Sequence, residues 1–220
     1  TTTASYTTVD RFTINNDFPT GVTSVATSQD SDGPSGFSNS FKVEPEQART
    51  AALSGADRFF INYSVEAQDL QQLDYNTSSA KNLTLSFWIK SNLTGIVSLE
   101  INAADSTDSN YQYLHESVTI NTADTWEYKT VSIPGNVNNP INDDNGTGIG
   151  ITWIFAAGPT FTSGTFTTGV WHDTTAANRA SSSNIDIYSS ASNYVKLTGV
   201  QLEVGDTATD FEHRSYGDEL

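Results

Sequence analysis

The chain has 220 residues, enough for one large β domain or at most two small ones, and a domain of this size buries roughly 70% of its unfolded surface. There is no cysteine, which excludes disulfides, cysteine zinc sites and thiol nucleophiles and leaves stability to packing, with or without a bound ion. Acidic residues outnumber basic ones 26 to 10, a formal charge of −16 that repels nucleic acid and anionic membranes, so neither is an expected partner.

No stretch approaches the ~20 apolar residues of a membrane span, and membrane insertion is not expected. The opening TTTASYTTVD has neither the basic region nor the apolar run of a signal peptide. Met is absent throughout, and the chain stops at Leu220 within a charged run. Both features lead us to expect a processed product or a piece of something longer.

In chain order, strands are expected at 37–43 (FSNSFKV) and 58–65 (RFFINYSV), followed by a helical turn or two at 67–73 (AQDLQQL), where Leu70 and Leu73 sit three apart. The clearest strand is 82–90 (NLTLSFWIK), in which Leu83, Leu85, Phe87 and Ile89 alternate with Thr84, Ser86, Trp88 and Lys90. In 96–103, Val97, Leu99, Ile101 and Ala103 oppose Ser98, Glu100 and Asn102. In 111–120, Leu114, Val118 and Ile120 face one way, and Tyr111, Tyr113 and His115 the other. A strand at 126–133 ends at Pro134 and Gly135, and 149–155 (IGITWIF) is apolar enough for burial on both faces. The closing strand is 194–204. So late in an all-strand chain, it is expected to pair with a strand far back, as Greek-key sandwiches require. The stretches 136–148 and 156–193 read as long irregular loops, which in a compact domain bind something or pack against a neighbouring subunit. The fold class is therefore all-β, an antiparallel β-sandwich of jelly-roll type, with 1–220 as one domain.

Several words in the chain carry a family resemblance: DRF at 10–12, GFSNSFKV at 36–43, EAQDLQQL at 66–73, LTLSFWIKSNLTG at 83–95, TADTWEYKTVSIPG at 122–135, DNGTG at 144–148 and LTGVQLEVGDTATDFEHRSYGDEL at 197–220. In this order they resemble the jelly-roll, carbohydrate-binding-module-like domains near the ends of tail-fibre and other structural proteins of tailed, especially marine, bacteriophages. The resemblance implies a virion location, other virion subunits as partners, a homotrimer among the assemblies served, and no catalytic motif. It also implies a structural calcium where the first and last strands meet, which by position falls to Asp10 and Glu203.

The residues themselves give no positive sign of an enzyme. The three histidines, His115, His172 and His213, read as surface residues, and no GxSxG elbow is present. Carboxylate pairs of the glycosidase kind can be imagined anywhere among 26 acids. Carbohydrate binding asks less: an aromatic face for a sugar ring, flanked by hydrogen-bonding groups. Tyr111, Tyr113 and His115 supply such a row, with Glu100 and Asn102 on the polar face of the preceding strand. The competing reading makes those tyrosines a second layer of core or a trimer contact. Trp171, in GVWHD, is a loop stacking platform or a subunit anchor, and Phe161 and Phe166 share its loop. Trp88 and Trp126 read as packing residues and Trp153 as core. Asn142, Asp143, Asp144 and Asn145 before Gly146 offer oxygen ligands for calcium, or simply a turn. A surface glycan or polysaccharide is the expected ligand; a structural fibre or capsid domain with no ligand is the rival, and a module detached from a polysaccharide-degrading enzyme comes third.

Overall fold

The computed structural model describes residues 12–17, 24–103 and 112–213. Runs rich in Val, Ile, Thr, Phe and Tyr form eleven strands among these residues. They are β1 (Phe12–Asp17), β2 (Val25–Asp30), β3 (Ser40–Pro45), β4 (Arg58–Glu66), β5 (Leu83–Ser91), β6 (Gly95–Ala103), β7 (Gln112–Ile120), β8 (Glu127–Ile133), β9 (Thr147–Ala157), β10 (Trp171–His172) and β11 (Val195–Val204). Each strand expected from the sequence forms within a few residues of its expected bounds. β1, β2 and β10 arise where none was expected, and β10 interrupts the stretch read as an irregular loop. The run at 67–73 is a 3-10 helix, Ala67–Leu73, which buries Ala67, Leu70 and Leu73. A single α-helical turn, α1 (Pro159–Thr162), follows β9.

All strand pairs are antiparallel. One sheet has six strands in the order β1-β4-β9-β6-β7-β10, the other five in the order β2-β3-β11-β5-β8. The two form an antiparallel β-sandwich of jelly-roll type. The last strand does reach far back: β11 lies between β3 and β5, with Val195 opposite both Val43 and Ser91.

Alternation assigns the faces. Leu83, Leu85, Phe87 and Ile89 of β5 meet Val97, Leu99 and Ile101 of β6 in one buried core. Trp153 of β9 is fully buried there, edge-on to Phe87 at 5.6 Å, and its Nε1 has no hydrogen-bond partner among the described residues. Truncating Trp153 to Ala removes the largest side chain of the core and should cost about 3–5 kcal/mol in urea unfolding. Trp153→Phe, which also removes the unpaired N–H, should cost clearly less.

β9 is buried along nearly its whole length, as its apolar run requires. Ile154 points away from the core, on the outer face of the six-stranded sheet, yet is only 1% exposed. The segment after α1 covers it: Asn184 Nδ2 donates to Ile154 O (3.1 Å), Ser181 N to Ser98 Oγ (2.9 Å) and Ile185 N to Ile96 O (2.8 Å).

The outer face of the five-stranded sheet carries a charge cluster. Lys196 Nζ (2.8 Å), Lys90 Nζ (3.0 Å) and Trp126 Nε1 (3.2 Å) converge on the carboxylate of Asp32. Trp126 and Trp88, expected as packing residues, are half-buried on this outer face, at the approach to β8 and in the outward register of β5. The Lys196 and Lys90 ammonium groups hold the Asp32 carboxyl well below the usual carboxylate range. A carboxyl lowered by folding adds stability above its unfolded pKa of about 3.9, and that contribution fades as pH falls toward the folded value. The stability gap between wild type and Asp32→Asn should therefore be widest above about pH 5 and shrink below about pH 4 in pH-resolved urea melts.

Candidate functional site

Two rows of side chains run across the outer face of the six-stranded sheet. The register places Asn62 (β4), Thr152 (β9), Glu100 (β6) and His115 (β7) in one row. The adjacent row holds Ser64, Gly150, Asn102, Tyr113 and His172. Each alternates with a core residue on its own strand, so all share one face.

The half formed by β6, β7 and β10 is closed. Arg179, brought down by the segment that covers Ile154, grips Glu100 with both arms of its fork: Nε donates to Oε2 at 2.7 Å and Nη2 to Oε1. His115 Nε2 contacts the same Oε2 at 3.2 Å, and His115 Nδ1 contacts His172 Nε2 at 3.1 Å. Phe166 stands 5.4 Å from the His115 ring, and the Arg179 guanidinium lies over the Tyr113 ring at 5.4 Å. Burial acts to raise the Glu100 carboxyl, but the contacts from Arg179 and His115 outweigh it and hold the group below its usual range. Glu100 in turn keeps Arg179 charged against its own burial. The chain of side chains ends where His172 Nδ1 meets the Asp173 carbonyl at 2.9 Å, a backbone acceptor and not a hydroxyl nucleophile.

In the other half, over β4 and β9, Asn62 and Ser64 are half-buried and Thr152 is buried. Ser64 Oγ donates to Asn62 Oδ1 (3.0 Å), and Asn62 Nδ2 donates to Thr152 Oγ1 (2.9 Å). Asn102 lies directly over Gly150, where a Cβ would come within 2.4 Å of Asn102 Oδ1, so only glycine admits the amide. Beyond Asn62 the Arg58 guanidinium is sandwiched between the rings of Phe60 (4.3 Å) and Phe161 (4.7 Å), with Asp17 at 3.6 Å. The floor of amides and hydroxyls thus lies between Phe60 on β4 and Tyr113 on β7, which are three strand spacings across and four residues along the strands, roughly 19 Å, apart.

Of the residues the sequence nominated, Tyr113, His115, Glu100 and Asn102 do share a face. Tyr111 and Asp10 lie outside the described residues. His115 is not a surface residue but 0% exposed, and Glu100 is 1% exposed, because Arg179 and His172 sit on top of them. Both position their neighbours and do not present themselves to a ligand. Trp171 is no loop platform: it falls on the inward side of β10, packs edge-on to Tyr75 at 6.3 Å and donates Nε1–H to Pro134 O at 2.6 Å. Asp143 and Asp144 stand in an exposed turn, where Asp144 Oδ1 accepts from Gly146 N at 2.8 Å. The Glu203 carboxylate accepts from Thr209 N at 3.1 Å. Among the described residues no three His, Asp or Glu side chains converge as a metal site.

Sequence reasoning missed Asn62, Ser64, Thr152 and Arg179. The first three were within reach, since period two in FFINYSV and IGITWIF puts them opposite Ile61, Tyr63 and Trp153. Nothing in the run around Arg179 marks its partner 79 residues earlier.

No family model matches the sequence, and no curated relative does. Among solved structures, the enzymatically active domain of tailspike protein 4 from bacteriophage CBA120 is 12% identical over 89% of this chain, with a TM-score of 0.47; the chain spans 19% of that tailspike's length. A family 11 carbohydrate-binding module from Clostridium thermocellum, solved with a β-1,3-1,4-mixed-linked tetrasaccharide, is 13% identical over 91% of this chain and 92% of its own, with a TM-score of 0.45. The xylan-binding domain CBM22-1 from Paenibacillus barcinonensis is 8% identical over 84% of this chain and 83% of its own, with a TM-score of 0.41.

Replacing Glu100 by Gln leaves Arg179 as a largely buried, unpaired cation. We expect a loss of about 2–4 kcal/mol in urea unfolding, at the lower end because 26% of the Arg179 side chain remains open to water. Proteolytic cleavage within 158–184 should accelerate in parallel, since the same ion pair ties that segment to the sheet.

Proposed function

We propose that this chain is a non-catalytic carbohydrate-binding module that holds a glycan across the outer face of its six-stranded sheet, as part of a virion appendage such as a tail fibre. The observation that carries the sugar reading is the pre-set polar floor, Ser64–Asn62–Thr152 with Asn102 beside it, flanked by the rings of Tyr113 and Phe60. Sugar hydroxyls both donate and accept, and so do side-chain amides and hydroxyls. Groups already fixed in position lose little freedom when a ligand arrives. One face of each flanking ring is taken by a guanidinium, Arg58 over Phe60 and Arg179 over Tyr113, and the rest of the ring is what meets the C–H surfaces of a pyranose. The Arg179 segment, tied to Glu100 on β6, bounds this floor on the β7 side.

Affinity for a hydroxyl-rich ligand is modest at one site, because the ligand gives up good contacts with water. Several copies on one appendage would compensate through avidity. The placement on a virion is supported by the sequence resemblance that runs from residue 10 to the 197–220 tail.

The test is a glycan array probed with wild type, Asn62→Ala and Asn102→Ala, followed by titration calorimetry on any glycan retained. Each substitution removes hydrogen bonds to the ligand and should weaken binding about 5- to 30-fold, or 1–2 kcal/mol. Retention unchanged in both variants, or no retention by wild type at any concentration, would remove this face as a sugar site.

A further inference from the structure

The opposite side of the sandwich carries a second arrangement of rings that the groove does not use. On the outer face of the five-stranded sheet, Trp88 of β5 stands directly across from Tyr128 of β8. The ring centroids are 5.2 Å apart and tilted by 46°. Tyr128 is 43% exposed, the most open aromatic ring among the large hydrophobic side chains exposed in the described residues.

The pair is braced from the β11 side. β11 has a register break between Thr198 and Gln201, and Gly199 within it takes a φ of +58°. A Cβ at Gly199 would lie 2.7 Å from Phe37 Cζ and 3.3 Å from Trp88 Cδ1, so the glycine is what lets both rings close on the β11 backbone. Phe37 is itself fixed by Phe211 at 5.0 Å and His213 at 5.1 Å. Trp88 therefore packs against the Gly199 backbone on one side and has the open Tyr128 ring on the other.

The polar surroundings restrict what fits on these rings. Thr130, next in the outward register of β8, is exposed. Lys90, next in the outward register of β5, keeps donors to spare beyond its contact with Asp32. Charge on this face is compensated: Lys90 and Lys196 meet Asp32, Lys196 also meets Asp30 at 3.1 Å, and Lys42 pairs with Glu44. A phosphate or a polyanion finds no net field here. A protein partner needs on the order of 800 Å² per side with an apolar centre. The other exposed large apolar residues, Val137, Val170 and Val204, lie in a loop, before β10 and at the far end of β11, and do not extend the patch. Two tilted rings with hydroxyl and amine groups at their rim suit one occupant, the apolar face of an uncharged sugar.

We propose that Trp88 and Tyr128 form a second, independent glycan-binding platform, which takes a neutral pyranose by ring stacking with Thr130 and Lys90 contacting its hydroxyls. This inference shares its ligand class with the groove on the six-stranded sheet but rests on different residues on the opposite face.

The experiment uses the full chain with soluble mixed-linkage β-glucan, xylotetraose and β-1,4-galactotriose as probes, together with an array of neutral oligosaccharides. Tyr128→Ala is the main variant because its side chain is open to solvent; Trp88→Phe keeps a ring if Trp88→Ala fails to fold. Asn62→Ala reports on the groove in parallel. The platform predicts that Tyr128→Ala weakens binding of at least one neutral probe about tenfold. It also predicts a blue shift in tryptophan emission on saturation that survives Asn62→Ala and is lost in Tyr128→Ala. A loss confined to Asn62→Ala overturns the platform and leaves the groove standing, whereas a loss confined to Tyr128→Ala does the reverse. Wild-type chain that retains no neutral glycan, or a Tyr128→Ala effect seen only as lost self-association in sedimentation, also overturns it.

Discussion

A single outward-facing isoleucine sets much of the architecture. Ile154 belongs to β9, whose inward side chains fill the core, and its own side chain projects from the opposite face of the sheet. An isoleucine left there in water would forgo roughly 1.5–3 kcal/mol of burial, so some other part of the chain has to cover it. The segment following α1 does so, stitched down by Asn184, Ser181 and Ile185. Once that segment is in place, Arg179 is carried over Glu100. The ion pair, the buried His115 beside it and the restrained Tyr113 follow from the need to cover one apolar residue.

That sequence of constraints divides the six-stranded sheet into a sealed half and an open one. Over β6 and β7 the polar groups satisfy one another, and a carboxylate and a guanidinium fully paired in this way are more a means of fixing geometry than a source of stability. Over β4 and β9 the polar groups are fixed by one another, with Asn62 and Ser64 still partly accessible and Thr152 buried. The five-stranded sheet reaches a comparable end with different chemistry: rings braced by a glycine bulge, and lysines neutralised by Asp30 and Asp32.

The strands were legible because period-two alternation is a local signal. Leu83 to Ile89 and Val97 to Ala103 show it plainly, and the double burial of β9 could be read from IGITWIF alone. The closing strand's distant partner was also legible, since a sandwich needs one. What could not be read was which residues the long 156–193 stretch would cover. His115 looked like a surface histidine because its strand alternates correctly, and the residue that buries it lies 64 positions later at Arg179. Trp171 looked like a loop ring because a two-residue strand is too short to leave a pattern. Trp88 read as a packing residue, and the alternation that turns Leu83 to Ile89 inward also turns it outward; that its neighbour there would be Tyr128 depended on the β5–β8 register. β1 and β2 carry too few apolar residues for alternation to stand out.

The position of β11 has a consequence for how the protein is made. Its neighbours β3 and β5 are synthesised long before it, and Val195 pairs with Val43, a partner 152 residues earlier. Until residues 195–204 clear the ribosome, the five-stranded sheet exists only as two separate pieces, β2–β3 and β5–β8, each with one edge that awaits β11. Closing so long a loop is slow, and such edges are the places where nascent chains mispair with one another. Repulsion among the chain's many acidic side chains works against such mispairing until β11 arrives.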